Sequence, residues 1–242
     1  MAVDATTLLR PMRLLCLHGW RTNKHVLFQQ TAGLREALGV NTEFLFLDGT
    51  FPASGPAQDL VQQFYGADTQ YYEWWDAVKQ PVPAADGSSR YLYTGMERTI
   101  DRVLLEVERR GPIDALVGFS QGAGLASILT AHLQQQCAPV PWKACVCVSG
   151  FRPRSDQTEP LFVPTGPPIQ LPSIHVIGSQ DPMAASAAKL VDCYADRGNA
   201  YRVRFDHQEG HKFPTPALHQ ELYRDVARAL TAMVRPSLNS SI

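Results

Sequence analysis

Gly118-Phe119-Ser120-Gln121-Gly122 sets a serine between two glycines, with the apolar run Ala115 to Val117 before it and a helical run after it. A serine hydroxyl in an extended chain or in mid-helix is hindered or mis-aimed. A tight strand-to-helix turn lifts its oxygen clear, and flanking glycines remove side chains that would collide. The same turn puts the backbone N–H of Gln121 at a helix N-terminus, where it can stabilise an oxyanion. The chemistry implied is attack by Ser120 on an acyl carbon. Neither a GxGxxG spacing nor a P-loop lysine accompanies these glycines, which argues against a nucleotide site.

A serine of this kind needs a base, because its hydroxyl is a weak nucleophile at neutral pH. In strand-turn-helix sites of this type the order along the chain is serine, acid, histidine, which leaves His132, His175, His207, His211 and His219. His132 and His219 fall in helical runs and His175 inside an apolar strand. His207 ends the last strand as a packing or capping residue. His211, between Gly210 and Lys212-Phe213-Pro214, sits in a loop able to bring an imidazole over the sheet edge, and is the favoured base. Asp181, in Gly178-Ser179-Gln180-Asp181-Pro182 just past a strand, is the favoured acid, with a helix N-cap as its plainer role. Asp156, Asp192 and Asp196 lie in a loop or within a helix and suit the acid less. A second oxyanion donor is expected from the turn His18-Gly19-Trp20 after the first strand, with the Trp20 N–H as donor and His18 as a structural residue.

The elements that must position these groups follow from short Val-, Ile-, Leu- and Phe-rich runs alternating with segments of helical period, which predicts an α/β domain with a doubly wound sheet. Six strands are expected, at Arg13–His18, Glu43–Asp48, Ala115–Phe119, Ala144–Ser149, Ser173–Gly178 and Tyr201–Asp206. Helices are expected at His25–Leu38, Thr94–Arg110, Gln121–Gln136, Ala184–Arg197 and Thr215–Val234. Residues 152–172 carry six prolines and read as a surface loop. Residues 51–93 hold nine of the 22 aromatic residues. That density fits two compatible readings: rings packed onto the main domain beside a short helix near Ala57–Tyr65, or a cap lining an apolar pocket. On the second reading Trp74 and Trp75 bind substrate, together with Trp20, Phe119, Phe151 and Phe213, each of which adjoins an active-site turn. Residues 1–242 are expected to form one domain with 51–93 embedded in it.

Composition narrows the partners. With 22 Lys plus Arg against 23 Asp plus Glu, the net charge of -1 gives no basic field for nucleic acid or an anionic membrane. Nothing approaches the ~18 apolar residues of a membrane span. Five cysteines are too few for a disulfide scaffold, so a reducing, cytoplasmic setting is expected, with Cys16, Cys145 and Cys147 as small core residues. The sequon at Asn239 then carries no weight, and no paired Cys or His motif argues for a metal.

The strand ending LCLHGW, the elbow GFSQGAG, the segments CVSGF and GSQD, the late GHKFP and the aromatic YEWW at Tyr72–Trp75 come in an order that resembles the FSH family of serine hydrolases, within the α/β-hydrolase superfamily. The resemblance implies an esterase or thioesterase that needs no cofactor or metal, with a triad on Ser120, Asp181 and His211 and a small-molecule ester or thioester as substrate. A thioesterase acting on a carrier protein or CoA is the alternative enzyme, and a non-catalytic binding module the alternative from another class. Two positions depart from the family pattern: Asp48-Gly49-Thr50 stands where such chains tend to read DAP, and Glu209 where a second glycine often precedes the histidine.

Overall fold

Along the first two core strands, alternate side chains divide between two apolar layers, and that alternation is what gives the sheet two buried faces. Leu14 and Cys16 of β1 (Met12–Leu17) join one layer, while Leu15 and Leu17 join the other. Ala115, Val117 and Phe119 of β7 (Ala115–Phe119) lie in the first and Leu116 in the second. The computed structural model describes residues 10–82, 90–162, 166–198 and 201–235; the sequon at Asn239 lies outside them.

With β2 (Thr42–Leu47), β8 (Ala144–Val148), β9 (Ser173–Gly178) and β10 (Arg202–His207), these strands form a six-stranded sheet in the order β10-β9-β8-β7-β1-β2, every pair parallel. Every predicted core strand is present, within one residue at each end. The strand order reverses between β1 and β7, and at that point an open α/β sheet forms its crevice. One face is covered by α1 (Lys24–Gln30), α2 (Ala32–Leu38) and α7 (Gln220–Val234), the other by α4 (Met96–Arg110), α5 (Gln121–Gln135) and α6 (Ala184–Val191).

Three predicted helices come out differently. The expected helix over 25–38 is two: the chain leaves helical geometry at the buried Thr31 (φ −82°, ψ 6°), whose hydroxyl donates to the carbonyls of Leu27 and Phe28, both at 3.0 Å, and a new helix starts after it. The helix expected over 184–197 stops at Val191; Tyr194 leaves it to form an isolated bridge with Ile169 of the proline-rich loop, so a non-local pairing overrides the local period. The last helix begins at Gln220 rather than Thr215: residues 216–218 form a separate turn, closed by the Leu218 N–H on the Thr215 carbonyl at 3.0 Å, and the Glu209 carboxylate accepts the Thr215 N–H ahead of it. The proline-rich loop is not purely a surface feature either, for Phe162, Ile169 and Leu171 are buried in the core.

Within 51–93, β3 (Phe51–Pro52) pairs antiparallel with β4 (Tyr72–Glu73), α3 (Asp59–Tyr65) lies between them, and β5 (Asp76–Lys79) pairs antiparallel with β6 (Tyr91–Thr94). The aromatic segment after β4 is core. Trp74 and Trp75 are 0% and 1% exposed, and the Trp75 ring packs on Tyr93 at 5.2 Å. Two of the apolar side chains of α3, Leu60 and Phe64, face solvent instead.

Candidate active site

Ser120 follows β7 directly and takes φ 50°, ψ −111°, a left-handed conformation rare outside glycine that turns the chain sharply into α5. Its N–H is held by the Val148 carbonyl at 2.9 Å. The turn demands glycine at 122, where a β-carbon would collide with the Leu17 carbonyl oxygen. Gln121 is the first residue of α5, so its N–H has no acceptor within the helix and points from the positive end of the helix dipole.

The neighbouring turns bring the partners. Along the carboxyl edge of the sheet, β1, β7, β9 and β10 deliver Gly19-Trp20, Ser120, Asp181 and His211 respectively. His211 Nε2 lies 2.8 Å from Ser120 Oγ, and His211 Nδ1 lies 2.8 Å from Asp181 Oδ2. The Asp181 side chain is fully buried; its second oxygen accepts the Met183 N–H at 2.7 Å. That turn precedes the first residue of α6, so the carboxylate orders its own loop and the imidazole together. The ring of Phe119 lies 5.3 Å from that of His211 and 5.5 Å from that of Phe213, an apolar floor under the histidine.

The other candidates lie elsewhere. His207 is buried against His219, 5.6 Å between rings, and its Nδ1 accepts the Glu209 N–H at 3.4 Å. His175 is buried in β9 against Tyr194, and Asp156 pairs with Arg90 at the surface. Asp192 caps the end of α6, and Asp196 pairs with Arg202 at 3.0 Å.

Gly19 lies against the nucleophile turn: a β-carbon there would come within 2.8 Å of the Phe119 ring and 3.5 Å of Ser120 Cβ. The loop is held from beneath by His18. The Gly49 N–H donates to His18 Nε2 at 2.8 Å, which leaves the proton on Nδ1, 2.7 Å from the Gly19 carbonyl. Burial pushes the His18 pKa down to about 4, against the upward pull of the Gly19 bond, so the ring is a neutral strut rather than a base. The departure at Asp48-Gly49-Thr50 fits this arrangement, since a β-carbon at Gly49 would lie 2.6 Å from the Glu73 carbonyl oxygen, while Asp48 accepts the Lys24 N–H at 3.0 Å.

Sequence reasoning missed the side chain of Gln121. Its amide oxygen accepts the Trp74 N–H at 3.1 Å and its amide nitrogen donates to the Trp75 carbonyl at 2.9 Å. Trp74 Nε1 donates to the His18 carbonyl at 2.8 Å, which ties the same segment to the Gly19-Trp20 turn. Of the expected substrate-lining aromatics, Trp74 and Trp75 are fully buried and held in this network. Phe119 and Phe213 are buried beneath the histidine, whereas Trp20, 39% exposed, and the half-buried Phe151 are open to solvent. A pair of backbone groups bonded to the residue after the nucleophile has no signature in linear spacing.

Glu209 also acquires a role. Its carboxylate accepts the Thr215 N–H and hydroxyl, each at 2.6 Å, and meets Lys212 at 2.7 Å and His219 at 3.2 Å. Burial raises its pKa, but the bonds from Lys212 and Thr215 outweigh this and hold it at about 2. His207, Glu209 and His219 lie close enough to share an ion. The carboxylate is already engaged by three donors, one of them an ammonium, so the cluster suits an anchor of the His211 loop better than a cation site.

Residues 6–223 match the family described as serine hydrolase (FSH1). The chain is 29% identical over 220 residues to the human esterase OVCA2, covering 88% of this chain and 94% of that one. Among solved structures it is similar to esterase PE8 (TM-score 0.59, 19% identity, 93% of this chain and 96% of that one) and to the RedJ thioesterase of Streptomyces coelicolor (TM-score 0.56, 16% identity, 95% and 90%), a likeness of fold. The sheet, its helices and these neighbours make the fold an α/β-hydrolase, and the chain belongs to the FSH1 serine hydrolase family.

Proposed function

We propose that the protein hydrolyses carboxylic esters through an acyl-enzyme on Ser120. The observation that carries this reading is the unbroken line from Ser120 Oγ through His211 to the buried Asp181, both links at 2.8 Å. His211 Nε2 takes the hydroxyl proton as Ser120 attacks the carbonyl carbon, while Asp181 holds the Nδ1–H and stabilises the imidazolium. The N–H groups of Gln121 and Trp20 receive the oxyanion. His211 then protonates the leaving alcohol, and water repeats the sequence on the acyl-enzyme. The scheme uses no metal and no cofactor.

On this reading Trp20 and Phe151 flank the acyl side, which favours medium to long acyl chains. Residues 51–82 and 90–93 serve as a fixed part of one domain rather than a mobile lid, given the burial of Trp74 and Trp75. Five free cysteines, three of them buried, suit a reducing, cytoplasmic setting. Release of an acyl chain from a thioester of CoA or a carrier protein uses the same groups and is the second reading.

The test is a series of 4-nitrophenyl esters and acyl-CoA thioesters assayed with the parent protein and Ser120→Ala. Each buried methylene adds ~0.8 kcal/mol, so kcat/KM should rise about fourfold per methylene from acetyl upward until the pocket is filled. The best activity on acetyl esters would rule out the apolar acyl site, and full activity in Ser120→Ala would rule out the acyl-enzyme.

A further inference from the structure

The edge of the sheet holds a second feature beside the triad. Because β8 lies between β7 and β9, the chain leaving β8 runs between the nucleophile turn and the acid turn. Between that segment and the start of α6 is a cleft of about 330 Å³, with the cations Arg152, Arg154 and Lys189 in its wall and no carboxylate. Two further lining residues, Pro182 and Met183, directly follow Asp181, and Arg152 directly follows the open ring of Phe151.

Among the described residues none of the three cations forms an ion pair. Arg154 is also held in place. Its guanidinium lies over the Tyr91 ring at 4.9 Å, its backbone N–H donates to the Tyr93 hydroxyl at 3.1 Å, and its Nε is buried with no hydrogen-bond partner. A guanidinium stacked on a ring and tied at its own backbone keeps its charge fixed at the cleft wall. The first turn of α6, which supplies Ala185 and Ser186 to the cleft, adds the positive end of a helix dipole. With a net charge of -1 over the whole chain, this gathering of unpaired positive charge is local.

We infer that the cleft is an anion subsite, and that the preferred substrates are esters or thioesters bearing a carboxylate or phosphate group remote from the scissile carbonyl. The inference rests on the hydrolase reading of Ser120, since the subsite is placed relative to that nucleophile. Two guanidiniums suit either oxyanion by bidentate contact, with Lys189 as a point charge.

Two matched pairs separate the sources of the anion. Butyryl-CoA against butyryl-N-acetylcysteamine tests phosphate, and 4-nitrophenyl hydrogen glutarate against 4-nitrophenyl butyrate tests carboxylate. In at least one pair the ratio of kcat/KM, anionic over neutral, should exceed about tenfold at low salt and shrink in 0.5 M NaCl. That ratio should fall about tenfold in Arg152→Ala and in the exposed-site variant Lys189→Gln, and Arg152→Lys should recover part of it. Binding of the four compounds to Ser120→Ala is measured in parallel. It reads the subsite without chemistry, so an inactive parent protein that still prefers the anionic member would sink the hydrolase reading and keep the subsite. Ratios near one in both pairs, in turnover and in binding, or a preference unchanged by both charge-removing variants, would overturn the inference.

Discussion

The side-chain amide of Gln121 is bonded to the backbone of Trp74, with its oxygen 3.1 Å from the Trp74 N–H, while its nitrogen reaches the Trp75 carbonyl at 2.9 Å. On the proposed reading, one residue thus offers its backbone N–H to the oxyanion, while its side chain holds the aromatic segment packed behind the Ser120 turn. Gln121→Ala keeps the N–H and leaves two buried backbone groups unpaired, each costing about 1–3 kcal/mol. We expect a loss of denaturant stability in that range or somewhat beyond it, with a smaller loss of kcat than any triad variant gives. Unchanged stability would show that the clamp has no weight.

Trp74→Ala and Trp75→Ala each open a core cavity and should destabilise the fold by about 3–5 kcal/mol. The dependence of kcat/KM on acyl length should keep its slope in whichever variant stays folded. A flattened slope at full stability would return these rings to the acyl pocket.

Much of this arrangement was legible in the sequence. The strand-turn-helix context of Ser120, the position of Asp181 past β9 and that of His211 past β10 are local patterns, and each strand carried its own apolar run. What was not legible is non-local. Thr31 breaks a helix whose apolar period continues across it, and Tyr194 leaves α6 for a bridge with Ile169. Trp74 and Trp75 look the same as lining or as core until the Gln121 clamp is seen. The role of Glu209 was hidden similarly, because its partner Thr215 lies beyond the histidine it helps to hold.

His211→Ala should lower kcat by at least about a thousandfold, and His207→Ala by far less, since only His211 reaches Ser120. Asp181→Asn should approach the same loss through the wrong tautomer while keeping its fold, because an asparagine oxygen can still accept the Met183 N–H. Steady-state kinetics with a thermal melt on each variant separates the cases. An inactive His207→Ala beside an active His211→Ala would reverse the assignment.

Burial pushes the pKa of His18 down to about 4 and that of His175 to about 3, from an ordinary 6.5. The folded state therefore binds fewer protons than the unfolded chain between these values. The stability is fully present above pH ~6.5 and is lost as the pH falls towards 4, at about 1.4 kcal/mol per pH unit for each histidine. Urea midpoints at pH 7.5, 6 and 5 should fall in that order, and His175→Gln should make the decline shallower. A midpoint independent of pH across this window would contradict the burial of both rings as neutral groups.

The central claim is that Ser120 is activated by His211, and active-site labelling with a fluorophosphonate tests it most directly. A serine beside an oriented imidazole is far more nucleophilic than any other hydroxyl of the chain. The account predicts one adduct per molecule, mapped by peptide mass to Ser120, abolished in Ser120→Ala and strongly slowed in His211→Ala. An unlabelled parent protein, or equal labelling of Ser120→Ala, would contradict it.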